Sequence, residues 1–470
     1  MTTFLGTPYI DLRVDFNSFL PEKLDKSIKE KSINYYLNKI NRNKELHDKV
    51  EFEIVWSCFT FDLPEKLNSL PKEKFSWSDK QELLECLRNV TNSVLHPVNG
   101  LWLTDAEKIK TLAQRRKKIN ESELSLTDRV YWLIEDVKRY GTLPFAGLAR
   151  ACFMAVQILR SLQAKHIFTK NDYEKFLKST STISKDMYFD RQNLSKRGFL
   201  KKYGHLRPGT YDILSSRYDE TPDLYFNWDE KFELPNAQET FSLTEKQANQ
   251  VDLLLRKYKL ETDSHALFNF IRRTIELREL SKFEFSHNLS DALQIIGKVG
   301  ETENIELIDM AFCDIKAIQD IHVSACDTGE ALRESINAGK KSFQETCKIC
   351  LPPVIASPDD VYRFELPESS PSFITHKQVE APVAGIDEVE NLENAIVCIH
   401  SADPGFDWLF SYPIAGLITA WGGANSHMAI RAKEFNLPAV IGIGEALYQS
   451  LKSASVIELD ATNRKIEIVG

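Results

Sequence analysis

Residues 417–444 read LITAWGGANSHMAIRAKEFNLPAVIGIG: an apolar strand, a glycine turn, an amphipathic helix and a second apolar strand. Strands and helices in such quick alternation belong to layered β/α folds, where each apolar strand finds a neighbour and each helix covers a sheet face. The flanking residues keep the same texture. THKQVEAPVAG, NAIVCIHSA and SVIELDATNRKIEIV are further short strand-like runs, so residues 373–470 are expected to form one compact β/α domain.

The helix in this stretch opens on His427, after Ser426 and the pair Gly422-Gly423. A helix N-terminus presents unpaired backbone N–H groups and the positive end of the helix dipole, which together stabilise an anion. Ser426 has the chemistry of an N-cap, and the glycines let backbone come close to a bound group. A near-neutral imidazole placed there is a competent nucleophile whose phosphorylated form stays reactive. The plainer reading of a lone Ser-His is a capped helix after a buried strand.

The whole run carries more than a lone pair. Its glycine pair, Ser-His, Ala-Ile-Arg, Glu-Phe and Leu-Pro-Ala-Val-Ile-Gly resemble the phosphohistidine, or swivelling, domain of phosphoenolpyruvate-utilising enzymes and of the rifampin phosphotransferases. The resemblance implies a swivelling β/β/α fold in which His427 receives a phosphoryl group that originates in ATP and passes it on. It also implies phosphate contacts from Gly422, Gly423, Ser426 and Arg431. Asn425 departs from the pattern, since pyruvate phosphate dikinases carry a regulated Thr there, and that regulation is not carried over.

Elsewhere the 470-residue chain changes texture. Residues 1–75 hold strand-like runs, PYIDLRVDF and VEFEIVWSCFTFDL, around a charged helical stretch, and read as a small α/β element. Residues 76–350 show apolar residues at three and four spacing and read as a large, mainly helical domain. Residues 351–372, rich in Pro, Ser and acids, read as a linker, so the last domain would hang from a single tether.

A formal charge of −9 and the absence of a long basic run argue against nucleic acid and against an anionic membrane surface. The N-terminus lacks a charged-then-apolar leader pattern, and FAGLARACFMAVQIL, the nearest approach to a membrane span, is interrupted by Arg150. A cytoplasmic protein is expected, with its eight cysteines reduced. His322, Cys326, Cys347 and Cys350 have ligand chemistry, but with no second C-x-x-C a helical cysteine pair is favoured over zinc, and no metal site is assigned.

The segment FLKKYGHLRPGTYDILSSRYDETPDLYFNWD, from about residue 199 to 229, mixes aromatics and charges on turns. Arg207 and Arg217 suit carboxylate or phosphate recognition, and His205 or Asp212 could accept a proton; an ion-pair network pinning the loop explains the same residues equally well. Its YGH…PG…D…RY…E…P pattern is similar to a segment of rifampin phosphotransferases and phosphoenolpyruvate-synthase-like proteins. By that resemblance the helical region binds a hydroxyl acceptor, with His205 as base and Arg207, Asp212 and Arg217 as substrate-binding residues. Leu-Arg-Pro and Thr-Tyr-Asp depart from the rifampin pattern, which leaves the acceptor open.

Two charged clusters have plainer readings. Glu135, Asp136, Lys138, Arg139 and Arg150 flank an expected break at Gly141-Thr142-Leu143-Pro144, and Arg272, Arg273, Arg278 and Lys282 alternate with Glu276 and Glu279 as a solvated helix face.

No glycine-rich phosphate loop ending in Lys-Ser or Lys-Thr occurs, and nothing resembles an ATP-grasp domain or a pyruvate-phosphorylating barrel. The expectation is therefore a phosphotransferase component whose ATP and Mg²⁺ are held by an ATP-grasp partner in trans, with no tightly bound cofactor of its own. The alternatives are a non-catalytic binding or regulatory module that keeps the fold, or a rifamycin-type antibiotic phosphotransferase.

Overall fold

The computed structural model describes every residue except 1, 48, 72, 227, 229–240, 324–326, 350, 365–370, 387, 388, 424 and 425; the side chains of 184, 404, 427, 430 and 434 are likewise not described. Asn425, Cys326 and Cys350, weighed above, lie outside the described residues, as does part of the 351–372 segment.

The chain divides into two compact units. The first comprises residues 1–183 and 238–356, the second 184–237 and 357–470. The first is helical, apart from a small hairpin of β1 (Thr2–Phe4) and β2 (Thr7–Tyr9). Capping explains where several helices begin. Ser76 and Asp79, Thr169 and Asp172, and Thr244 and Gln247 each form a reciprocal capping box at the start of Trp77–Leu95, Lys170–Ser179 and Glu245–Lys257. The 39-residue helix Ser264–Thr302 packs against Leu101–Asn120, Leu126–Asp136 and Leu143–Ala164. Phe16, Tyr36, Phe61, Leu83, Leu148, Phe176 and Phe270 belong to the apolar core of this unit.

Two expectations for this unit need correction. VEFEI was read as a strand from its alternation, but Val50–Ile54 is a π-helical turn whose Val50 and Ile54 are buried. The expected break at Gly141-Thr142 is instead a π-helical turn, Val137–Thr142, that joins Leu126–Asp136 to Leu143–Ala164 without interruption. The run 126–164 is thereby long and apolar enough, by length and composition, to span a membrane, although half of its apolar window is buried inside the protein. The core helix of a globular unit has the same signature.

In the second unit, residues 372–468 form a seven-stranded mixed sheet. Its strands are β3 (Ser372–Ile374), β4 (Gln378–Gly385), β5 (Ile396–Ser401), β6 (Gly416–Trp421), β7 (Ala439–Ile441), β8 (Val456–Asp460) and β9 (Lys465–Ile468), in the order β3-β7-β6-β5-β4-β8-β9. The four strands β4 to β7 run parallel, and β3, β8 and β9 add antiparallel edges. β5 and β6 are near-continuous apolar runs, as strands covered on both faces must be. Helix Glu445–Lys452 packs on β4, β5 and β6, while helix His427–Glu434 packs on β3, β7 and the turn of helix Pro404–Ser411. The C-terminal β/α architecture is as expected from the sequence.

Residues 184–237, grouped with the helical domain in the sequence, make their compact contacts with the sheet. Tyr218 donates its hydroxyl to the Gly405 carbonyl at 2.8 Å, and Thr210 donates to the Asp403 carboxylate at 3.1 Å. Tyr225 packs on Trp408 and Tyr188 on Phe435, with ring centroids 5.5 and 4.9 Å apart.

Candidate functional site

The carboxyl ends of parallel strands are where open α/β sheets bind ligands, because loops leaving adjacent strands diverge there. Here those loops are 402–404 after β5, 422–426 after β6 and 442–444 after β7. Ser401 and Trp421 are register partners at the ends of β5 and β6, and Ala402 donates its backbone N–H to the Trp421 carbonyl.

Gly422 turns the chain out of β6 with φ at +134°, in the region that disfavours side chains. A Cβ there would stand 2.6 Å from the Ala402 Cβ and 3.0 Å from Ile441 Cγ2. Gly442, with φ at +77°, leaves equally little room, since its Cβ would meet the Gly422 carbonyl oxygen at 2.4 Å. Gly423 is different: a Cβ placed on it meets nothing within 4 Å. The first glycine is demanded by packing and backbone, and the second keeps the space beside the helix mouth open.

Ser426 is the N-cap of the helix. Its backbone is extended (φ −67°, ψ 159°) and its Oγ accepts from the Ala429 N–H at 3.3 Å. His427 therefore occupies the first helical position, directly at the positive end of the helix dipole. Asn436, at φ +52°, closes the other end.

Arg431 was expected to contact phosphate, and the structure gives it another task. It is 3 % exposed, its Nε donates to Asp407 Oδ1 at 2.7 Å, and Asp407 is itself 4 % exposed. Tyr188, Phe410 and Phe435 surround the guanidinium at 5.5, 5.5 and 4.7 Å. The pair fastens the His427 helix to the 404–411 turn from its buried side. Met428, Ala429 and Ala432 line the same side, so the stripe was visible in the helical spacing.

The residues expected at an acceptor site all fall in this second unit. His205 is buried, 2 % exposed, in the turn after helix Lys196–Tyr203. Arg207 donates through Nη1 to the carbonyls of Asp212 and Ser215 at 3.2 and 2.9 Å, and burial pulls its pKa down. Arg217 binds Asp219 in a fork, Nε to Oδ1 at 2.9 Å and Nη2 to Oδ2 at 2.8 Å. Asp212 uses Oδ1 on the Leu214 N–H. Arg207 and Asp212 thus make contacts within their own loop, and Arg217 pairs with Asp219 just beyond it.

Sequence reasoning missed a cluster at the same sheet edge. His400, at the end of β5, lies with Nε2 2.9 Å from Glu445 Oε2, and Gln449 donates to Glu445 Oε1 at 2.7 Å. Burial works to raise the Glu445 pKa but is outweighed by Gln449, His400 and the Trp421 indole, which hold it below the usual carboxylate range. Residues drawn from β5, β6 and helix Glu445–Lys452 leave no local motif to read.

The remaining candidates are structural. His322 Nδ1 lies 2.6 Å from Asp128 Oδ1 and its ring stacks on Tyr131 at 4.0 Å, while Cys347 is an exposed helix cap. Glu135 bridges to Lys138 and Arg139 within its own helix, and Arg150 reaches Ser18. Arg273 pairs with Glu276, Arg278 with Glu279, and Arg272 lies over the Phe176 ring. Among the described residues, no group of three or more His, Cys, Asp or Glu is placed to hold a metal.

Residues 391–464, which contain β5, β6, β7 and the His427 helix, match the family model described as PEP-utilising enzyme, mobile domain. The chain resembles the phosphoenolpyruvate-utilising enzymes. Rifampicin phosphotransferase of Bacillus cereus is 27% identical over 298 residues, covering 58% of this chain and 34% of that protein. Rifampicin phosphotransferase of Bacillus subtilis is 24% identical over 335 residues, covering 63% and 37%. The chain spans about a third of the length of the curated relatives it matches. Both of these relatives are phosphotransferases by name, and the family model covers the segment that holds His427.

Proposed function

We propose that the second unit carries a phosphoryl group on His427, loaded from ATP and delivered to a hydroxyl acceptor. The observation that supports this most directly is the position of His427, first in a Ser-capped helix, at the carboxyl edge of four parallel strands, beside a glycine that leaves the mouth open. An imidazole nitrogen lone pair attacks phosphorus in line, and the bond to the leaving phosphate oxygen breaks. By the family's dikinase chemistry the β-phosphoryl goes to His427 and the γ-phosphate to water, leaving AMP and phosphate. Helix N–H groups and the dipole then offset the charge on the phosphohistidine. In the second half-reaction the acceptor hydroxyl loses its proton to a base and its oxygen takes the phosphoryl group, returning neutral His427.

ATP enters this scheme through an ATP-grasp protein or domain. No step is derived through Mg²⁺, which would travel with ATP. The relatives' names favour a rifamycin as one acceptor to test. Incubation with β-³²P-ATP and an ATP-grasp partner should label the wild-type chain at an acid-labile site, and His427→Ala should remove the label. Label that persists in His427→Ala overturns the scheme, and a folded wild type that never labels supports the non-catalytic binding module instead.

A further inference from the structure

The polar side chains around Arg207 and Arg217 belong to the second unit. The helical unit holds a different concentration of polar chemistry where the last turns of Leu101–Asn120 meet the run 126–164 and Ser264–Thr302. Arg116 donates through Nη1 to Asn288 Oδ1 at 3.0 Å and through both Nη atoms to Glu284 Oε2 at 3.3 Å. One turn on, Asn120 donates to Asp291 Oδ2 at 2.9 Å. Arg115 Nε bridges both oxygens of Asp136, a carboxylate 1 % exposed, and its guanidinium lies over the Tyr140 ring.

Two departures from ordinary helix packing coincide at this level. The π-helical turn Val137–Thr142 presses Gly141 against the long helix, where a Cβ would stand 2.8 Å from the Phe285 Cβ; single π-turns concentrate at functional sites. The other departure is Asn288. Its side chain is fully buried, Arg116 fixes which end of the amide is the acceptor, and among the described residues Nδ2 finds no acceptor. A buried amide donor left unpaired loses its hydration without compensation, so a native structure that keeps one calls for an explanation.

We propose that Asn288, Glu284 and Arg116 form a binding site for a small, neutral, hydroxyl-rich molecule such as a polyol or sugar. Asn288 Nδ2 donates to a ligand oxygen, and the Glu284 carboxylate accepts a ligand hydroxyl proton. Glu284 and Arg116 retain 22% and 13% of their side-chain exposure, which gives the site its opening to solvent. Arg115 and Arg116 are offset by Asp136, Glu284 and Asp291, so the cluster does not select an anion. That this ligand is the phosphoryl acceptor rests on the phosphotransferase reading above; the site itself does not.

The test is calorimetric titration of the full chain with glycerol, myo-inositol and glucose, with rifamycin SV as a bulky comparator. A polyol or sugar should bind the wild type, and Asn288→Leu, which fills the volume and removes the donor, should weaken it at least tenfold. Glu284→Gln, at a partly exposed position that tolerates substitution, should weaken the same probe and serves if Asn288→Leu fails to fold. His427→Ala should bind as the wild type does, so failure of phosphoryl labelling and failure of this site are separable. Lack of binding by all three hydroxylated probes, tighter binding of rifamycin SV with no effect of either variant, or wild-type affinity in Glu284→Gln would each overturn the proposal.

Discussion

Gly422→Ala and Gly423→Ala differ by one position and should differ by several kcal/mol. At Gly422 the backbone sits at φ +134°, where a non-glycine residue costs on the order of 1–3 kcal/mol. The added methyl would also lie 2.6 Å from Ala402 Cβ, well inside carbon–carbon contact and with no flexible side-chain end to give way. Overpacking of that kind costs about 1–3 kcal/mol more. Together they give roughly 2–6 kcal/mol, which in a domain of about 150–250 residues corresponds to a fall in Tm of roughly 4–24 °C. Gly423→Ala adds a methyl to open space at an ordinary φ and should leave Tm within about 1–2 °C. Calorimetry of both variants reads this directly. The labelling assay then separates fold from chemistry: on the proposed function, Gly423→Ala should be folded yet slow to take up phosphoryl, because its methyl fills open space beside the helix mouth. If Gly422→Ala melts with the wild type, the tight turn inferred at the end of β6 is wrong.

Three further outcomes follow from particular contacts. Arg431→Met leaves Asp407 buried without its partner and should cost about 3–5 kcal/mol in urea unfolding, whereas Arg431→Met with Asp407→Leu should recover most of that. Burial pushes the thiols of Cys58, Cys152 and Cys398 up to about 12, so a thiol reagent at pH 8 should modify exposed Cys347 first and reach those three only after unfolding, as peptide mapping would show. Burial works to raise the Asp190 pKa, but hydrogen bonds from Lys202 and Tyr203 outweigh it and leave it lowered. A lowered folded pKa means its stabilisation is complete above the unfolded carboxylate range near pH 4 and is lost as pH falls through the folded value; Asp190→Asn should flatten that part of the acid limb.

The C-terminal domain was legible because its signals are local. Continuous apolar runs mark β5 and β6, the Ser-His step marks a cap, and the glycine pair marks a turn, all within a few residues of one another. The failures lie where distant residues decide. VEFEI alternates like a strand, yet the small hairpin at the N-terminus is the sole sheet among the described residues of its unit, and Phe52 packs on Phe153 from a π-helical turn instead. Gly141-Thr142 carries a break signal, but contact with Phe285 and Leu112 keeps the helix running through it. Arg431 was given a phosphate contact by the family resemblance, although its spacing from Met428 and Phe435 puts it on the buried stripe.

The segment 184–237 changes what a phosphoryl carrier in this chain consists of. Its partners lie far along the sequence, Tyr218 reaching Gly405 across 187 positions, so no local pattern announced them. Tyr188 touches both Arg431 and Phe435, which are part of the His427 helix and its cap, so the segment braces the carrier histidine's own support. A carrier built this way is joined to the helical unit by three passages of the chain, at 183/184, 237/238 and 356/357, where the sequence suggested a single tether. Hinge substitutions confined to 351–372 should therefore alter transfer less than their proline and serine content suggests, while Tyr218→Phe, which removes one hydrogen bond of about 1 kcal/mol far from the phosphoryl group, should be felt in the stability of the carrier unit itself.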